Sequence, residues 1–160
     1  MTILRVDLCG EELSTPQKEK LSVELIEAFA NVEVGHDSAA IRQGFVVQFG
    51  RLDASDLWLG GRPMVEAGES GKAALISAHV MAGPWNAEMK RELFERIERL
   101  VREAARMPRS GTGSDVWMTF VEVPEGGWGL GGRAVSIGSL APVFSEDRQA
   151  RIRSYLAERG

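Results

Sequence analysis

The sequence has little of several things that would mark a specialised chain. It carries a single cysteine, Cys9, which cannot form an internal disulfide and leaves no multi-cysteine metal site. Its place in an apolar stretch suits a small core residue; a reactive thiol is the alternative. The two histidines, His36 and His79, lie far apart with no third ligand in view, so no metal is expected. No apolar run approaches the roughly 20 residues that span a bilayer. The opening M-T-I-L-R-V-D-L lacks the apolar core of a signal peptide, and the expectation is a cytoplasmic chain without a membrane partner. Nor is there an excess of positive charge: 19 basic residues against 23 acidic give −4, and no nucleic-acid partner is expected.

What is present is ordinary globular composition, with 44% hydrophobic and 26% charged residues over 160 positions, enough for one compact domain or two small fused units. Ile3 to Leu8 alternates as a half-buried strand, and Gly10-Glu11-Glu12 turns the chain. Ser14-Thr15-Pro16-Gln17 is a helix start, followed by Leu21, Leu25, Ile26 and Phe29 at helical spacing; the helix fades near Asn31 to Gly35. A loop through His36 and Asp37 leads to a strand from Phe45 to Phe49, and Leu57 to Arg62 closes a first unit. Met64 to Lys72 has no periodicity and reads as a linker. Ala74 to Met81 is a strand, and Met89, Leu93, Ile97, Leu100, Val101 and Ala104 mark a long amphipathic helix ended by Met107-Pro108. Arg109 to Ser114 connects it to a fourth strand, Val116 to Val123. Ser136 to Pro142 is expected to be a short strand or hairpin, and Ser145-Glu146-Asp147 caps a last helix in which Ile152, Tyr155 and Leu156 share a face.

The pattern strand, helix, strand, glycine hairpin is written twice. Phe45 to Arg62, F-V-V-Q-F-G-R-L-D-A-S-D-L-W-L-G-G-R, is a fainter copy of Val116 to Arg133, V-W-M-T-F-V-E-V-P-E-G-G-W-G-L-G-G-R. The expected fold is α+β: tandem β-α-β units forming a four-stranded mixed sheet with two helices on one face, plus a C-terminal helical extension. The expected divisions are 1–66, a linker at 67–72, a second unit at 73–142 and a tail at 143–160. Two helices on one side leave the other sheet face bare, and more copies of the chain would cover it most simply.

This doubled unit resembles the tautomerase superfamily. S-T-P-Q-K-E-K-L, Ser14 to Leu21, and E-V-P-E-G-G-W-G-L-G-G, Glu122 to Gly132, are similar to oxalocrotonate tautomerase. Leu59-Gly60-Gly61, Trp117, Phe120, Glu122, Pro124 and S-E-D-R, Ser145 to Arg148, resemble the fused members typified by cis-chloroacrylic acid dehalogenase. The resemblance implies a homotrimer, no cofactor, and acid–base chemistry by an N-terminal proline on small keto, enol or unsaturated carboxylic acids. Here Thr2 stands in place of that proline, Ala82 and Trp85 in place of the arginine pair that holds the substrate carboxylate, and Ala30 in place of a histidine. Thr119 takes the place of a tyrosine on the substrate side, and Glu125 is a nearby candidate for an acid beyond the fourth strand.

The candidate site follows from those departures. Removal of Met1 would expose the primary amine of Thr2, whose ordinary pKa of about 7.7 to 8.0 suits a general base; threonine can also act as a nucleophile, and an ordinary chain start is the alternative. Arg62 and Arg133, after the two Gly-Gly pairs, are candidates to bind a substrate carboxylate or to form subunit-interface ion pairs. Trp117 and Trp128 are candidate pocket walls or plain packing residues. Two functions remain open: a tautomerase-type isomerase or dehalogenase/hydratase-like enzyme acting on a small carboxylic acid through the Thr2 amine, and a pseudoenzyme kept as an oligomeric binding or structural protein.

Overall fold

A computed structural model describes residues 1–67, 71–108 and 115–158. The middle of the expected linker, 68–70, and the connector 109–114 lie outside the described residues. Strand β1 (Thr2–Cys9) is followed by helix α1 (Thr15–Phe29), a π-helical turn at Ala30–Val34, the short helix α2 (Ala39–Arg42) and strand β2 (Phe45–Leu52). A small hairpin, β3 (Trp58–Leu59) and β4 (Arg62–Pro63), and a single turn, α3 (Met64–Ala67), complete the first half. The second half runs β5 (Ala73–Met81), α4 (Ala87–Ala104), β6 (Val116–Val123) and the hairpin β7 (Trp128–Leu130) with β8 (Arg133–Val135). The tail is α5 (Ile137–Leu140), a 3-10 turn at Ala141–Val143, and α6 (Glu146–Ala157).

The sheet order is β2-β1-β5-β6, with β1 parallel to β2, β5 parallel to β6, and β1 antiparallel to β5. This is the expected mixed sheet of two crossover units. The duplication is visible in the hydrogen bonds that begin each unit. Thr2 N–H donates to Gly44 O at 3.0 Å, and Ala74 N–H donates to Asp115 O at 2.8 Å, each acceptor lying just before the neighbouring parallel strand.

Both long helices start at designed caps. Gln17 Oε1 accepts from the Ser14 backbone N–H at 3.0 Å and from its hydroxyl at 2.7 Å, and Asn86 Oδ1 accepts from Met89 N–H at 2.9 Å. Leu21, Leu25, Ala28 and Phe29 of α1 and Met89, Leu93, Ile97 and Val101 of α4 are buried. They close over the even-numbered residues of the two central strands, Leu4, Val6, Leu8, Ile76, Ala78 and Val80, because successive strand side chains alternate between faces.

The opposite sheet face is only partly bare. At one end Cys9 and Ala73 are buried under Met64, with Leu57, Leu59 and Trp117 packed around them, so the first hairpin and α3 cap that end. The segment read as aperiodic linker thus begins with a fully buried anchor, Met64. Farther along, the register lines up Val46, Ile3, His79 and Val121 in one row across all four strands, and these side chains are exposed. Beside that row Arg5 Nε donates to Asp7 at 2.7 Å, and Gly50 leaves room for the Asp7 carboxylate, since a Cβ there would sit 1.8 Å from its oxygen.

Two expectations are corrected. Ser136 to Pro142 is helical and not a strand or hairpin, because the Ser136 hydroxyl accepts from Ser139 N–H at 3.1 Å and starts α5, while Pro142 suits the 3-10 turn that follows. The stretch after His36 is not all loop: Ser38 caps the α2 turn, and an Asp37–Arg42 ion pair spans it.

The end of α4 is tied to the start of β6 by a buried ion pair. Arg102 donates to Asp115 Oδ2 at 2.8 Å and Oδ1 at 2.6 Å, and also to Glu98 and to Pro108 O. Both partners are nearly inaccessible, and the paired carboxylate holds the guanidinium pKa above its ordinary value. Asp115→Asn would leave the buried guanidinium with only the half-exposed Glu98 as counter-ion, so it is expected to cost up to about 3–5 kcal/mol in chemical denaturation. A loss below about 1 kcal/mol would show the pair to be solvated.

Candidate functional site

The start of β1 is where polar groups converge inside the fold. Thr2 is 1% exposed, and its side chain points to the helix-covered face, like Leu4 and Val6. Its hydroxyl donates to Glu33 Oε2 at 2.8 Å, and the chain's terminal amine, on Met1, lies 3.7 Å from Glu33 Oε1. Glu33 sits in the π-helical turn that ends α1, a widened turn that swings its side chain inward instead of continuing the helix surface. Gly35, at φ 90°, terminates that turn, and only glycine fits: a Cβ would lie 2.2 Å from the Ser145 hydroxyl.

Glu33 is 7% exposed, and burial pushes its carboxyl pKa up; the terminal amine and the Thr2 hydroxyl oppose that rise without cancelling it. It also lines a cavity of about 10 Å³, room for about one water, with Met81, Pro84, Trp85, Met89, Ile137, Phe144, Arg148 and Ile152. The tail seals this space. Ser145 N–H donates to Val34 O at 2.9 Å, and Glu125 accepts from Ile137 N–H at 3.2 Å, which pins α5 in place. Trp85 stands between the cavity and an open groove of about 580 Å³ that Glu122, Arg151 and Tyr155 help to line. Its indole N–H donates to Met81 O at 3.1 Å, and its ring meets Phe120 edge-on at 4.9 Å.

Of the residues singled out from sequence, Thr2 is at this site. Arg62 and Arg133 are exposed on the two hairpins, paired in register with Leu59 and Leu130. Trp117 and Thr119 project from the other sheet face, Trp117 against the Cys9–Met64–Ala73 cluster and Thr119 within 3.5 Å of Ile76 O. Trp128 is buried in the main core, its indole N–H without a partner. Within one chain these five are therefore not assembled around Thr2. Ala82 donates its backbone N–H to Val123 O, while Trp85, which the resemblance likewise sets in place of an arginine, lines the Glu33 cavity. Glu33 and Arg148 were not singled out as site residues. No group of three or more His, Cys, Asp or Glu among the described residues is arranged to hold a metal.

No protein-family model matches the chain, and no curated protein does. Solved structures do. A member of the cis-3-chloroacrylic acid dehalogenase family, N1, aligns over 95% of this chain and 99% of its own, with TM-score 0.67 and 19% identity. The chain has the tautomerase-superfamily fold. Native fused 4-OT matches with TM-score 0.64 at 21% identity over 82% of this chain and 94% of that one. Pt0534, in a structure inactivated by 2-oxo-3-pentynoate, matches with TM-score 0.64 at 15% identity over 86% and 98%. In this fold the first residue of β1 begins a central strand, which is where the terminal amine and Glu33 meet.

Because burial raises the Glu33 pKa, the folded chain holds that proton more tightly than the unfolded chain does. Stability therefore falls as pH rises from the ordinary glutamate value, about 4.3, through the raised value, and then levels. Glu33→Gln keeps an acceptor for the Thr2 hydroxyl and removes this slope. Scanning calorimetry is expected to show the Gln variant gaining Tm relative to the parent as pH goes from 4 to 8; parallel curves would show no such linkage.

Proposed function

We propose that the chain is a tautomerase-type proton-transfer catalyst, an isomerase or a dehalogenase/hydratase-like enzyme, acting on small keto, enol or unsaturated carboxylic acids without an N-terminal proline. The observation that carries this reading is the convergence of the terminal amine and the Thr2 hydroxyl on the buried carboxyl of Glu33. Removal of Met1 would turn the Thr2 nitrogen, now an amide bonded to Gly44 O, into a primary amine at the same strand start. A neutral amine there accepts the proton of an enol hydroxyl, and a proton held between amine and carboxyl is returned to carbon, so the pair ends as it began. An amine and a carboxyl with a raised pKa both exchange protons nearer neutrality than an exposed glutamate does. The apolar wall of Met81, Trp85, Ile137 and Phe144 keeps the exchange dry.

Ketonisation of a substituted enolpyruvate tests it. Acetylating the terminal amine of the Met1-processed chain is expected to lower turnover by roughly 100-fold or more, the range of a lost general base. Unchanged turnover would remove the amine from the mechanism.

A second reading has one observation in its favour: the cavity beside Glu33 is filled by Ile137, Phe144 and Ile152 down to about 10 Å³. In that reading the tail has converted the site into core, and the chain is an oligomeric binding or structural pseudoenzyme. Turnover of any enol, keto acid or halogenated acrylate well above that of free amines sinks it.

Either reading is served by self-association. Matching solved structures include fused 4-OT trimers, and the exposed row Val46, Ile3, His79 and Val121 supplies an unpartnered sheet face. Light scattering is expected to give three chains per particle, and Val46→Lys with Val121→Glu to give the 17.5 kDa monomer; a monomeric parent chain overturns the assembly.

A further inference from the structure

The exposed row across the sheet contains one side chain that can change its charge. Val46, Ile3, His79 and Val121 stand opposite one another on the four strands, and the three apolar members are 55%, 38% and 41% exposed. The next row on the same face is polar: Gln48, Arg5, Ser77 and Thr119. His79 thus sits in the apolar row and not in the polar one. A neutral imidazole can be covered there together with its neighbours, whereas an imidazolium cannot be covered without an anion.

This face offers no anion to it. Across β1, His79 faces Ile3, with Arg5 diagonal to it and Met1 just before the strand; across β6 it faces Val121, flanked by Thr119 and Val123. Its same-face neighbours along β5 are Ser77 and Met81. Arg5 is the charged side chain among these, and it is engaged by the Asp7 carboxylate, which lies one row farther on. The terminal amine of Met1 is turned to Glu33. Arg5 and Asp7 cancel, so these rows carry no net charge with His79 neutral and one positive charge with His79 protonated. In a symmetric assembly every copy brings that same charge.

We propose that His79 makes the self-association of this chain depend on pH: neutral His79 lets the row be buried between copies, and its protonation drives the copies apart. The inference rests on reading this sheet face as the assembly surface. Histidine changes its charge between about pH 5 and 8. The covered row binds fewer protons than the exposed one, so association strengthens as pH rises through that range and is lost as pH falls through it.

Light scattering of the full chain over a dilution series, at pH 8 and pH 5 and equal ionic strength, tests this. The parent is expected to be associated at pH 8 and to shift toward the 17.5 kDa monomer at pH 5. Its association constant is expected to fall roughly 30-fold for each histidine buried, the ratio by which an ordinary imidazole charges over that interval. His79→Gln, which cannot charge, is expected to associate equally at both pH values, and His79→Lys to be monomeric at both. His36→Gln is expected to follow the parent. A parent equally associated at pH 8 and pH 5 overturns the switch and leaves the assembly standing. A parent that is monomeric at pH 8 overturns both. Dissociation at pH 5 that His79→Gln shares with the parent puts the titrating group elsewhere and overturns the assignment to His79.

Discussion

The antiparallel pairing of β1 with β5 is the constraint on which the rest of the molecule depends. Register from Thr2 opposite Val80 to Cys9 opposite Ala73 joins two crossover units into one sheet. It puts Leu4, Val6, Ala78 and Val80 side by side under both helices, and each is fully buried. Either β-α-β unit alone would leave the β1 or the β5 edge of its sheet without a partner strand. A one-residue slip would turn this apolar set to the solvent face and bring Arg5 and Asp7 into the core. The helices, the caps and the Arg102–Asp115 tie only make sense on that register.

Most of the architecture was legible because it is written in local periodicity. The alternation of Ile3 to Leu8 and the spacing of Leu21, Leu25 and Phe29 depend on nearest neighbours along one element, and the structure places those elements where the pattern put them. The failures lie where a single hydrogen bond decides. Ser136 to Pro142 has no helical stripe long enough to read, and its fold turns on one serine hydroxyl and one proline ring. Met64 looked like the start of an aperiodic linker because its partners, Cys9 and Ala73, belong to other strands.

The site was far less legible. Glu33 stands in a stretch, A-N-V-E-V, that reads as the fraying end of an amphipathic helix, where a glutamate is normally solvated. Only the π-helical turn sends it inward, and nothing in one-dimensional spacing announces such a turn. A signal was available all the same: Glu33 is flanked by Val32 and Val34, an unusually apolar setting for an exposed acid, and Gly35 follows at once. Arg148 lies in S-E-D-R, where charge in a first helical turn looks like surface. The resemblance drew attention to positions the family uses, whereas Thr2 and the acid it touches are joined by a contact across 31 positions.

The equivalence of Thr2 and Ala74 has a consequence for stoichiometry. Both make the same backbone bond at the start of a central strand, but Ala74 lies in mid-chain and is fully buried in the main core. The second strand start carries a peptide nitrogen, whose lone pair is delocalised into its carbonyl and is no base, whatever side chains surround it. On the proposed reading only the Thr2 strand start can offer an amine, while the Ala74 start contributes a backbone hydrogen bond and core packing, one amine-dependent centre for two structurally equivalent strand starts.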